Sequence, residues 1–292
     1  MIDLLLTSAG IVFVIRKQKS LRGTTLTAPC LWLLASLVVL ASAEFITAAV
    51  DGSGVLTSPL RFAAACTTFC PLIALLGAKR PQNRGWHFVV ATLWIVLSMP
   101  AWEALLLRPG QPLDVHGLRA SFLMLLTLFG LANMCPTRFW PVAILFGAAQ
   151  GLLIWEFMPF GPAPTEAFAR RATTYGLSLI VAAIATATLL DARPRRPPSM
   201  DRLWLDFRDR FGLFWGLRVV ERVNAAAQLN GWPVRLGWQG FHSTNGSELS
   251  ELSPAMARAL RQNLENLLGR FVSHTWIAHR LGEQVDWSGV TD

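Results

Sequence analysis

The sequence predicts an all-α fold: a polytopic membrane bundle of about seven transmembrane helices with a small, mainly helical C-terminal domain. Three observations predict it. Hydrophobic residues make up 53% of the chain and charged residues only 15%, a balance unusual for a soluble domain. Before about residue 190 the apolar residues gather in blocks of roughly 18 to 25, the length that crosses a hydrocarbon layer about 30 Å thick. After Leu190 the composition turns abruptly to charged residues at helical spacing. The chain therefore divides into a membrane part (1–190), a Pro- and Arg-rich hinge (191–200) and a soluble domain (201–292).

Seven apolar runs supply the spans. They cover about Ile2–Ile15, Leu26–Val50, Leu60–Ala78, Trp86–Leu107, Leu118–Met134, Phe139–Phe160 and Thr173–Leu190. The first is short: fourteen residues rise only about 21 Å, so it needs a thinned bilayer or stretched ends to cross. A cleaved signal peptide is not expected, because the basic cluster follows the apolar run and no positive region precedes it.

Orientation follows from the short loops that hold Lys and Arg. Alternate connections carry Arg16, Lys17, Lys19 and Arg22, then Lys79, Arg80 and Arg84, then Arg138, then Arg193, Arg195 and Arg196. These face the cytoplasm, which makes the C-terminal domain cytoplasmic in a cell (plasma or inner) membrane. The other loops hold Asp51, then Arg108, Asp114 and His116, then Glu166, Arg170 and Arg171, and are close to neutral. The basic excess is concentrated in the membrane part, where thirteen basic residues face seven acidic ones. No nucleic-acid partner is needed to explain it.

Three acids lie well inside apolar blocks: Glu44 in SAEFIT, Glu103 in PAWEAL and Glu156 in LIWEFM. A charge in hydrocarbon costs at least about 2.5 kcal/mol, so such a residue has a partner, a wet cavity or a function. All three sit on outward-running helices, a turn or two below the outer surface. Arginines follow 17, 16 and 15 residues later, at Arg61, Arg119 and Arg171. The spacing predicts three helical hairpins of one plan, each joining a Glu to an Arg across its outer turn. The six residues are also the candidate ligand, ion or proton site. In the plainest alternative the arginines only snorkel to the headgroups.

Other intramembrane features point to packing. Cys66 and Cys70 share a helical face, and Pro71 behind them predicts a kink. Without a third ligand nearby they imply no soft-metal site. Cys30 and Cys135 imply no disulfide framework. Gln150, flanked by Gly147, Ala148, Ala149 and Gly151, predicts close helix contact with an interhelical hydrogen bond. Pro100 predicts a bend beside Glu103. Trp86, Trp102, Trp140 and Trp155 lie near span ends, as an interfacial belt requires.

In the soluble part, Asp201 is expected to cap a helix running to about Leu229, ended by Asn230 and Gly231. Trp204, Phe207, Phe211, Phe214, Trp215, Val219, Val223 and Ala226 form its apolar stripe, with Arg202, Asp206, Asp209, Arg210, Arg218 and Arg222 on the other side. The stripe suits either a domain core or the inner headgroup layer, and a second amphipathic helix favours the core. That helix opens at Ser253 and Pro254 and is expected to run to about Leu281 before Gly282, with Met256, Leu260, Leu264, Leu267, Leu268 and Phe271 as its stripe. Between them, GWPVRLGWQGFHSTNGS suggests a short β-hairpin.

No catalytic motif emerges. His242, His274 and His279 have no metal-ligand spacing, and no phosphate-binding Gly loop, GxSxG or HExxH is present. NGS at 245–247 is a chance glycosylation match in a cytoplasmic domain. No cofactor and no metal are expected. Three function classes remain: a non-enzymatic sensor, scaffold or complex subunit whose residues 201–292 dock a protein partner; an ion- or proton-coupled transporter using the glutamates; and a membrane-embedded lipid-modifying enzyme. The last lacks a histidine inside a span, since His87 and His116 sit at span edges.

Overall fold

The computed structural model describes residues 2–50, 54–80, 83–109, 113, 115–159, 166–192, 197–244 and 253–282. The side chains of Lys19, Val55, Asn83, Arg84 and residues 166–170 fall outside that description. So do Asp51, Asp114, the hinge arginines Arg193, Arg195 and Arg196, and the NGS match. The chain forms two compact units, one of residues 1–22, 26–78 and 82–192, the other of residues 23–25, 79–81 and 193–292.

The first unit is entirely helical among its described residues. It contains α1 (Ile2–Gln18), α2 (Thr27–Ala49), α3 (Gly54–Thr67), α4 (Cys70–Leu76), α5 (Asn83–Leu97), α6 (Met99–Trp102) with a π-turn over Glu103–Leu107, α7 (Gly117–Met134), α8 (Trp140–Trp155) and α9 (Glu166–Ala192). Four helices are long and apolar enough to cross a membrane: Thr27–Ala49, Leu56–Leu76, Gly117–Met134 and Arg171–Ala192. The pair Gly85–Leu97 and Met99–Leu107, bent by 57°, makes a fifth if it is one span. All seven expected runs are helical, but α1, at 17 residues, and α8, at 16, fall short of that length. Length and composition thus support four or five crossings.

Membrane association is supported by the surface of this unit. Only 17% of the apolar window of α7 is buried, and Phe88, Leu107 and Leu118 are each more than 70% exposed. Apolar surface of that extent belongs in lipid. Polar side chains close the bundle where helices break. Pro71 has no N–H to offer Thr67, four residues back, and α3 gives way to α4 just there. The Ser36 hydroxyl donates to the Thr67 carbonyl at 2.6 Å, and the Gln150 amide donates to the Thr68 carbonyl at 3.1 Å. This is the interhelical bond expected of Gln150. At one end of the bundle Asp191, on α9, is shared by Lys17 of α1 and Arg138 of the α7–α8 turn, the latter at 3.1 Å.

The second unit has its own aromatic core. α10 (Met200–Leu229) packs against a hairpin, β1 (Val234–Gly237) and β2 (Gly240–Ser243), and against α11 (Pro254–Leu268) and α12 (His274–Leu281). The strands are antiparallel, with Val234 opposite Ser243 and Gly237 opposite Gly240. Asn224 fixes the hairpin to α10 as a peptide group would, accepting from the Leu236 N–H at 2.7 Å and donating to its carbonyl at 3.0 Å. Phe207 and Phe211 stack at 4.6 Å, and Phe271 meets Phe207, Phe211 and Trp215 edge-on. The stripe therefore lines a domain core.

Three local expectations are corrected. Ser199, not Asp201, caps α10 by accepting from the Arg202 N–H, while the Asp201 carboxylate accepts from the Phe241 N–H at 2.8 Å. The helix is broken at Gly212 (φ 79°, ψ −170°). Its first half is buried on all sides, so Arg202, Asp206, Asp209 and Arg210 are not a solvated face. Asp206 pairs with Arg280 at 2.8 Å, and Asp209 with Arg208 at 2.7 Å, because buried charges persist only when paired. The expected second helix is two helices, each with a serine cap: Ser253 on α11 and Ser273 on α12. Between them the chain turns at residues 269–271, and residues 270–273 bond to residues 23–25 and Arg80.

Backbone such as that of Gly212 costs other residues about 1–3 kcal/mol. Gly212→Ala should lower the thermal midpoint of the detergent-solubilised protein clearly, whereas Gly85→Ala, where a Cβ meets nothing within 4 Å, should leave it nearly unchanged.

Candidate functional site

Glu44 lies near the end of α2 and Arg61 one turn and a half from the end of α3. The Arg61 Nε donates to Glu44 Oε1 at 3.2 Å and its Nη2 approaches Oε2 at 3.5 Å. The side chains are only 23% and 12% exposed, so the pair is held where water screens it little. Glu103, in the π-turn after α6, meets Arg119 of α7 at 3.5 Å. Here both side chains are over 40% exposed, and the contact is correspondingly weak.

Glu156 departs from the hairpin plan. It sits at the C-terminal cap of α8, and among the described residues the charges that act on it are Arg61 and Glu44 rather than Arg171. Arg171, on α9, is exposed. Two packing contacts explain the placement. α8 lies against α3, where Phe157 meets Phe62 edge-on at 5.1 Å. Glu156 and Arg61 each precede one of these rings by one residue, which brings them to the same region. Glu44 thus pairs with Arg61 and Glu103 with Arg119, while Glu156 lies within electrostatic range of Arg61.

Asp3, in the first turn of α1, is a member that the sequence did not suggest. Its charge acts on Glu44, and its Oδ1 is buried with no hydrogen-bond partner among the described residues. At the start of a run its depth was not distinguishable from that of a surface residue.

The remaining polar residues serve the helix breaks. The Cys66 Sγ lies 3.7 Å from the Leu97 carbonyl, which brings the α3 break against the α5–α6 bend. Ser98, fully buried at that bend, accepts from the Trp102 indole at 3.0 Å. Trp86 donates to the Ile73 carbonyl at 2.8 Å, packed so tightly on Gly77 that no Cβ fits there. Trp86 and Trp102 therefore cap helix breaks, while Trp140 and Trp155 are about half exposed, as a belt requires. Among the described residues no three His, Cys, Asp or Glu side chains lie close enough to hold a metal.

No protein-family model matches this chain, and comparison with curated proteins and with solved structures gives no match.

Removing the guanidinium that pairs with Glu44 has a distinct expected cost. Arg61→Gln should destabilise the solubilised protein by about 1.5–3 kcal/mol, the range for hydrogen bonds to a charged group. Arg119→Gln should cost about 0–1 kcal/mol. Denaturation in one detergent compares them, and equal effects would contradict the distinction drawn between the two sites.

Proposed function

We propose that this chain is a non-enzymatic membrane component, a sensor or complex subunit, whose soluble unit docks a protein partner on the cytoplasmic side of the cell membrane. In this proposal α1 and α8 complete seven crossings, with the bilayer thinned around them. The alternation of basic and near-neutral loops supports the orientation.

The observation that carries the proposal is the composition of the second unit. It takes in the α1–α2 loop at residues 23–25 and Lys79 and Arg80 after α4. These loops are joined by backbone hydrogen bonds to residues 270–273, which carry core residue Phe271. A shift of α2 or α4 therefore pulls directly on the core of the soluble unit. Such a mechanical link suits a protein that reports a membrane event to a partner, and an inert tail would not need it.

A second proposal, an ion- or proton-coupled transporter, is favoured by the placement of Glu156 within electrostatic range of the Glu44–Arg61 pair. One guanidinium balances one carboxylate, and the second acid is left to be balanced by a proton or a cation.

Hydrogen exchange on the full chain in nanodiscs tests the first proposal. Glu44→Gln should change protection at residues 23–25, 79–80 and 270–273; unchanged exchange there, with the fold intact, overturns it. Proton flux into proteoliposomes tests the second: Glu44→Gln and Glu156→Gln should each abolish flux if the acids are coupling groups. A folded wild type with no flux above empty vesicles counts against transport.

A further inference from the structure

We propose that Lys79, Arg80 and Arg270 form a binding site for the headgroup of an anionic phospholipid. The proposal needs only that Leu56–Leu76 crosses a membrane, and it stands independently of the sensor and transporter readings. Arg80 comes four residues after that helix ends at Leu76. A chain spans at most about 3.6 Å per residue, so Arg80 cannot be further than about 14 Å from the end of the span. It lies at the depth of the headgroups.

Arg270 comes from a distant part of the sequence. Its carbonyl accepts the Arg80 N–H at 2.9 Å, so the two long side chains start from adjacent backbone positions. The pairing is fixed by its neighbours. Thr25 N–H donates to the Phe271 carbonyl at 2.9 Å, Ser273 N–H donates to the Gly23 carbonyl at 2.6 Å, and Thr24 bridges Val272. Gly23 makes that approach feasible. It has φ +79°, and a Cβ there would lie 2.5 Å from the Ser273 hydroxyl.

Arg80 and Arg270 are both exposed, and Lys79 is half-buried. Among the described residues of this unit, four acids are committed elsewhere: Asp201 to the Phe241 N–H, Asp206 to Arg280, Asp209 to Arg208 and Glu265 to Arg261. Two arginines and a lysine at the surface of a bilayer match a phosphodiester. Arginine supplies paired N–H donors to its oxygens, and each basic residue near an anionic leaflet adds attraction equal to roughly a fivefold gain in affinity.

The test uses the full-length protein in phosphatidylcholine nanodiscs with and without phosphatidylglycerol, with retained phosphatidylglycerol counted by native mass spectrometry and protection of residues 270–273 followed by hydrogen exchange. The wild type should retain phosphatidylglycerol preferentially and gain protection at 270–273. Arg80→Gln and Arg270→Gln should each reduce the apparent affinity about fivefold. Both keep the backbone bonds, and Arg270→Lys should recover part of the loss. Arg222→Gln, which removes the same charge from an exposed position elsewhere on the unit, should have little effect.

Wild-type preference in the Arg80→Gln/Arg270→Gln double variant overturns the proposal, as does an equal loss with Arg222→Gln. If inorganic phosphate protects residues 270–273 equally in pure phosphatidylcholine discs, the site takes a soluble anion and the headgroup assignment falls. Thermal melts in phosphatidylcholine identify any variant that fails to fold, and Arg270→Lys then carries the comparison.

Discussion

In hydrocarbon every backbone carbonyl released by a helix break must find a donor inside the protein, and the first unit is organised around meeting that demand. Pro71 cannot serve Thr67, so Ser36 of α2 does; the neighbouring Thr68 carbonyl is met by Gln150 of α8. Trp94 of α5 donates to Ala63 at 3.1 Å and Trp86 to Ile73. Four side chains thus tie α2, α5 and α8 to the interrupted α3–α4 span. That span is the most buried of the long helices, with 72% of its window enclosed. Its interruption gives the bundle much of its polar adhesion, since apolar packing alone does not distinguish a helix from lipid.

The placement of the acids follows from the same arrangement. Gln150 ties α8 to the break at the end of α3. Further along, Phe157 lies on Phe62, which places Glu156 within electrostatic range of Arg61. The hairpin spacing had suggested Arg171. Sequence separation measures how deep two residues lie along antiparallel helices, but it says nothing about the direction each side chain takes around its helix. The deviation therefore arises from a packing contact between elements that are not neighbours in sequence.

Hydropathy and spacing made much of the helix layout legible: each apolar run became a helix, Pro71 and Pro100 each marked a break, and Gln150 found its interhelical carbonyl. The pairings Glu44–Arg61 and Glu103–Arg119 were legible for the same reason, being local to one turn. What stayed hidden depended on partners distant in the chain. Asp206 looked solvent-facing because its countercharge, Arg280, lies over seventy residues away. The break at 269–273 is not written in any local proline: it exists because those residues pair with the 23–25 loop. Asn224 looked like any helix-surface amide until a strand lay beside it, and Asp3 had no visible depth.

The balance of charge at Arg61 separates a simple register device from both proposed functions. A register device needs one acid for one arginine, as at Glu103 and Arg119. At Arg61 one carboxylate, Glu44, is paired and a second, Glu156, lies within electrostatic range, with Asp3 acting on Glu44 as well. An arrangement selected for stability alone gains little from an extra acid in a poorly screened place, since each unbalanced charge costs free energy there. A site that exchanges a proton or a small cation uses that imbalance, because the charge state of the cluster can then change while Arg61 stays in place. The same imbalance also suits a sensor: a change of charge between α2, α3 and α8 biases how those helices pack, and α2 continues directly into the loop that the soluble unit has incorporated. Transport and sensing thus make the same demand on Arg61, and they differ in whether the ion crosses or only visits. Flux therefore discriminates between them where stability does not.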